Sequence, residues 1–188
     1  MTVIEAAAIS IGDIIEFGGA YNRGVVFWID PADNTHGLIC AFSDGLDPGS
    51  GTVVDASWDC SGTDIPGLPN VSYWSPQNPD NVYPGAEIGD GLNNTNNILI
   101  SCPGSDAANL ARGNIRDENW FVPSAKEMYE MYTQRSFLGG PGFYDFSQFY
   151  WTSTEKNSQL AWFQDMSNGN YDAVNKTDNN RVRPVRAF

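Results

Sequence analysis

The chain has 188 residues, 41% of them hydrophobic and 13% aromatic, and a net charge of −13. This suits one compact domain and excludes a disordered chain, since aromatic rings recur along the whole length. Residues 1–111 hold 14 acids against one base, Arg23, whereas residues 112–188 hold 9 of each; such a field repels polyanions, so nucleic acid is not expected as a partner.

The opening Met1-Thr-Val-Ile-Glu5 lacks the basic start of a secretion signal. No apolar run approaches the ~20 residues that span a bilayer, so no membrane insertion is expected. Residues 1–15 are assigned to an N-terminal strand or attachment segment, and residues 16–188 to a single binding domain. Within the latter, Gly24-Val-Val-Phe-Trp-Ile-Asp30 and His36-Gly-Leu-Ile-Cys-Ala-Phe42 read as the two strands of a hairpin, joined by the turn at residues 31–35. Cys40 lies in the apolar run and reads as a buried thiol. Cys60 and Cys102 sit in loop-like surroundings, as a disulfide or as two thiols; no Cys pair has zinc spacing.

Residues 43–92 are rich in Gly, Pro, Asp, Ser and Asn, with isolated rings at Trp58, Tyr73, Trp74 and Tyr83. The expected form is an ordered excursion pinned by those rings. A short helix is predicted over residues 94–101, carrying Ile98 and Leu99. A second should run from the cap Ser105 through Arg112 and stop at Gly113. Ser124 with Glu127 three residues later spells a capping box, in which hydroxyl and carboxylate each accept a backbone N–H. Met128, Met131 and Tyr132 then fall on one helical face, read as core.

At the C-terminal end, Phe149-Tyr-Trp-Thr-Ser-Thr-Glu155 and Ala161-Trp-Phe-Gln-Asp-Met166 are β-prone. Strand alternation puts Trp162, Gln164 and Met166 on one face, and Phe163 and Asp165 on the other. Asn168-Gly169 predicts a type I′ hairpin turn. Residues 176–180 read as a polar turn, and residues 181–188 as a last strand with an edge or bulge at Pro184. Arg181, Arg183 and Arg186 are expected to pair with acids of the first part. The fold class is therefore α+β: antiparallel β-hairpins, two or three short helices and a long ordered loop region.

The candidate chemistry is thin. His36, the sole histidine, is read as fixing its turn. Asp44, Asp47 and Asp55 are the carboxylates that glycoside cleavage would require, and acidic loops without that role are far commoner. No nucleophile elbow or P-loop occurs. No catalytic residue, metal ligand or cofactor is assigned, and the chain is read as a non-enzyme.

In order along the chain stand Trp120-Phe-Val-Pro-Ser124 with Glu127, Tyr150-Trp-Thr-Ser-Thr-Glu155, Ala161-Trp162, Asn168-Gly169 and Arg181-Val-Arg-Pro-Val-Arg186. Together they resemble the Lcl C-terminal / FISUMP family of bacterial and phage domains. Gly18-Gly19, Tyr21-Asn22, Gly24-Val-Val-Phe27 and His36-Gly-Leu38 resemble that family's opening hairpin. The resemblance covers residues 10–188 and implies a C-type-lectin-like fold with both chain ends in one sheet. The Asn-rich run at residues 165–180, closing in Val-Arg-Ala-Phe188, further resembles variable proteins of diversity-generating retroelements, in which Asn codons change to Tyr, Asp, Ser, Ala or Val. The sugar-binding calcium motifs of true C-type lectins are missing.

The reading is a receptor- or ligand-binding domain. Its expected contact surface is Phe163, Asp165, Tyr171, Asp172, Val174 and Asp178, with Lys156, Gln159 and Leu160 from the preceding turn; Tyr gives wide contact at low entropy cost. The expected setting is a phage virion, as a tail-fibre or receptor-binding component, with a capsid or tail decoration protein or a bacterial surface adhesin as alternatives. Expected partners are a host cell-surface protein or glycan and other virion proteins, in a homotrimer.

Overall fold

The computed structural model describes residues 8–19, 22–45, 52–78, 80–113, 118–138 and 148–188. Its element order is β1 (Ile14–Glu16), β2 (Arg23–Ile29), β3 (Gly37–Ala41), β4 (Ala56–Ser57), α1 (Asp90–Ser101), α2 (Asp106–Arg112), α3 (Ala125–Thr133), α4 (Arg135–Leu138), β5 (Phe149–Glu155), β6 (Leu160–Asp165), β7 (Tyr171–Asn175), β8 (Asn179–Asn180) and β9 (Val185–Ala187). The architecture is α+β, with antiparallel pairing throughout these strands.

One sheet has the order β1-β2-β3-β9 and holds both the first and the last strand of the chain. Its two central strands, β2 and β3, are buried on both faces. Val25, Phe27, Leu38 and Cys40 pack with Met128 and Met131 of α3. Val26, Ile39 and Ala41 pack with Trp120, and Ile9, Ile11 and Ile15 close over that side. The boundary drawn at residue 15 thus falls inside β1. β9 is an edge strand, with Pro184 just before it; its outer side meets Phe121 through two backbone hydrogen bonds.

The second sheet, β5-β6-β7, is tied to the long loop by tryptophan. The indole N–H groups of Trp58, Trp151 and Trp162 donate to the carbonyls of Thr152, Ala56 and Val71 at 2.8, 2.7 and 2.8 Å. Trp58 and Trp74 are buried, whereas Tyr73 stays exposed, so two of the four expected rings act as deep pins and Tyr83 packs at the margin. A disulfide between Cys60 and Cys102 fixes the same loop to the end of α1.

The helical signals behave as local chemistry dictates. Ser105 caps α2, and Ser124 and Glu127 form the reciprocal capping box of α3. Glu127 also accepts from the Gly89 N–H at 2.9 Å, which joins the starts of α1 and α3. Helix α1 begins at Asp90, earlier than the sequence suggests, because the Asp90 carboxylate accepts from the N–H groups of Gly85 and Glu87 and gathers the preceding turn.

Candidate binding surface

The closing segment is anchored by two buried ion pairs. Arg183 Nε donates to Asp44 at 2.6 Å, and Tyr150 donates its hydroxyl to the same carboxylate at 3.1 Å. Burial, with Asp44 alongside, pushes the Tyr150 phenol above its usual range. Arg181 pairs with Asp55 at 2.6 Å, and Arg186 lies over the Phe17 ring. Arg181 and Arg183 thus meet acids of the first part, as expected. Asp47 lies outside the described residues. His36 bonds Asp33 at 2.5 Å within its turn, and burial raises the Cys40 thiol to about 12.

Lys176 departs from the sequence reading, which placed it in a polar turn. It is fully buried, paired with Glu155, and donates to the Thr63 carbonyl at 3.0 Å. Its ammonium lies 4.7 Å from the centre of the Trp58 ring. The other Glu155 oxygen accepts from the Ile65 N–H at 3.2 Å. Burial raises the Glu155 carboxyl and Lys176 opposes the rise.

The hairpin turn also differs. Asn168 is not among the non-glycine residues with positive φ; Gly169 alone takes the left-handed conformation, at φ 86°. The loop spans residues 166–170 instead of two residues, because the Asp165 carboxylate organises it. That carboxylate accepts from Ser167 N, Ser167 Oγ and Asn168 Nδ2 at 2.9, 2.6 and 2.7 Å. A Cβ on Gly169 would lie about 2.5 Å from the Tyr132 ring, so glycine is required on two counts.

The register splits the nine expected contact residues between two faces. Phe163 pairs with Asp172 and Trp151, which puts Phe163, Asp165, Asp172 and Val174 on one face. Gln164 pairs with Tyr171, so Tyr171 lies on the opposite face with Trp162. There its ring meets Trp74 edge-on at 4.7 Å, and its hydroxyl bonds Gln77 Oε1 at 2.9 Å. Leu160 shares that face, and Lys156 lies over the Trp162 ring at 4.8 Å. Val174 is half-buried against the Trp58–Trp151 cluster. Gln159 is exposed and accepts from the Ser61 hydroxyl. Asp178 is exposed in the turn after β7.

Four of the nine converge all the same. Phe163, Asp165, Tyr171 and Asp172 line one open groove with Gln77, Phe149 and Asn170. Asp165 contributes structure more than contact, since it is buried and its oxygens are taken by the turn. The groove's open side carries the pair Phe149–Phe163, centroids 5.4 Å apart at 78°, with the exposed Asp172 beside it. Phe149 is 51% exposed. It was missing from the sequence reading, although strand alternation from Trp151 puts it on the Phe163 face. Gln77 carries no sequence signal, being delivered by the long loop.

Among the described residues no cluster of three or more His, Cys, Asp or Glu is placed to hold a metal ion. No helix there is long and apolar enough to cross a membrane.

No family model matches the chain, and no curated protein matches it. Among solved structures it is similar to a fimbrial protein from Bacteroides ovatus ATCC 8483, with a TM-score of 0.57 and 15% identity. The similarity covers 96% of this chain and 49% of that one, so the chain spans about half the length of that neighbour. At this identity the likeness concerns the fold.

Proposed function

We propose that the chain is a non-enzymatic binding domain of C-type-lectin-like fold, related to the Lcl C-terminal / FISUMP domains, and that it holds a ligand at the groove around Phe149, Phe163 and Asp172. The observation that carries this reading is an aromatic pair, Phe149 exposed and Phe163 partly buried, beside a carboxylate, at one end of a ribbon that buried ion pairs hold to the rest of the fold. Aromatic side chains on rigid supports supply most of the binding energy at protein surfaces. The groups that would serve catalysis are occupied elsewhere: His36 by Asp33, Asp44 by Arg183 and Tyr150, and Asp55 by Arg181. A structural disulfide is characteristic of proteins in oxidising surroundings, which favours display outside the cell. The fimbrial name of the structural neighbour agrees with a surface adhesin.

A second reading, a receptor-binding homotrimer on a phage particle held by other virion proteins, draws on the closing segment. The exposed side chains there are Ser167, Asn168, Asn170, Asp172, Asn175, Thr177, Asp178 and Asn179. Most belong to the residue set that adenine-directed diversification of Asn codons leaves.

Fluorescently labelled protein, incubated with intact bacterial cells and with epithelial cells, separates the readings. Retention on bacteria favours the virion component, and retention on epithelium favours the adhesin. In either case Phe149→Ala and Asp172→Ala should each lower retention about tenfold or more, while Ile100→Ala, at an exposed site on α1, leaves it unchanged. Retention that survives both groove substitutions would remove this surface from consideration.

A further inference from the structure

We propose that a second site, the crevice between residues 74–78 and 81–87 on one side and helix α3 on the other, binds an alkylammonium group, carried either by a small quaternary amine or by a lysine side chain. The crevice is small, with about 60 Å³ that a water molecule can occupy, and it opens to solvent. Its apolar walls are Trp74, Tyr83 and Tyr129. The Trp74 and Tyr129 rings stand at 71° with centroids 6.1 Å apart, giving two walls of a corner. Trp74 also separates this site from the ribbon groove, since Tyr171 packs against it from that direction.

The charged lining comprises Glu87, Lys126 and Glu130. Lys126 is committed: its ammonium bonds Glu87 at 2.6 Å, and the other Glu87 oxygen accepts from the Tyr83 N–H at 2.8 Å. Glu130 is different. Lys126, four residues earlier on α3, attracts it, but among the described residues no hydrogen bond or ion pair engages its carboxylate. Partial burial raises this acid above its usual range, and Lys126 opposes the rise. The lining therefore carries one uncompensated negative charge.

Each component asks for the same occupant. Aromatic faces attract cations through their quadrupoles, most strongly when the cation is poorly hydrated, as a quaternary ammonium is; a lysine ammonium sheds more water to enter. An unpaired, partly desolvated carboxylate gains from a cation and loses from an anion. The acidic field of residues 1–111 draws cations toward the same surface. A neutral polyol would use the polar rim of the crevice and leave Glu130 unpaired.

Choline, tetramethylammonium and Nα-acetyl-lysine methylamide are titrated into the full chain, with calorimetry and the Trp74 indole resonance as readouts. The neutral carbon isostere of choline, 3,3-dimethylbutan-1-ol, serves as control. Saturable binding of at least one cation, about tenfold tighter than the isostere, is expected. Preference for choline or for the lysine derivative tells the two sources apart. Glu130→Gln and Tyr129→Leu should each weaken binding about tenfold at an unchanged melting temperature, and Phe149→Ala, in the other groove, should have no effect. Equal affinity for cation and isostere, an unaltered affinity in Glu130→Gln, or no saturable binding by any of the three cations would each overturn the assignment. Failure here leaves the ribbon groove untouched, because the two sites share no substituted residue.

Discussion

On the inner side of the closing ribbons, Lys176 and Arg183 are fully buried and each meets a carboxylate far away in sequence. The outer set, Asp172, Asn175, Thr177 and Asp178, is drawn from either face of the ribbon and is exposed within a few residues of them. In composition the two sides are alike: both are polar and rich in charge. They differ in whether the rest of the fold supplies a partner. The inner side chains are fixed by buried ion pairs and by the ring of Trp58, whereas the outer ones bear on no packing. Such a ribbon keeps its shape while its outward residues change, which is what a recognition surface requires.

Breaking the inner side should have the largest effect. Lys176→Met strands the Glu155 carboxylate without a cation and should cost about 3–5 kcal/mol by denaturant titration. Adding Glu155→Leu should recover much of that loss, because a buried ion pair is replaceable by apolar packing. If Lys176→Met were as stable as the parent, the distinction between the two sides would fall. Cys60→Ser with Cys102→Ser releases a loop closed over 42 residues; the expected loss is about 2–4 kcal/mol, mainly through the unfolded chain.

A third test uses pH. Burial holds the Glu127 acid at about 7, against an ordinary 4.5, although backbone N–H groups of Ser124, Gly89 and Gly91 favour the ionised form. Below pH 4.5 the acid is protonated in folded and unfolded chains alike. As pH rises toward 7 the unfolded chain ionises first, so stability falls across that window by about 3 kcal/mol. Glu127→Gln should flatten this part of the profile relative to the parent; an unchanged slope would assign the loss to other groups. The smallest effect belongs to the outer side: Asp172→Ala, Asn175→Ala and Asp178→Ala should each lie within about 0.5 kcal/mol of the parent.

What the sequence revealed follows the range of each interaction. The β2–β3 hairpin, the Ser105 cap and the Ser124–Glu127 box rest on neighbours a few residues apart, and all were legible. The shared face of Trp162 and Gln164 was legible too, from strand alternation, and both are buried. Lys176 was not, because it stands among Thr, Asp and Asn while Glu155, Thr63 and Trp58 reach it only through the fold. The side assigned to Tyr171 was also hidden: register depends on the loop at residues 166–170, and the Asn-Gly pair suggested a shorter one. The Trp74–Tyr129 crevice lies between a loop and a helix distant in sequence, so no motif announces it.

The central claim is that polar residues of the closing ribbons divide into a fixed inner side and a free outer side. Displaying a library with every amino acid at positions 172, 175, 177, 178, 176 and 183, and sorting for folded protein with a protease, measures that division directly. Broad tolerance at 172, 175, 177 and 178, with narrow tolerance at 176 and 183, is the expected result. Comparable tolerance at all six positions, or restriction at the first four, would contradict it.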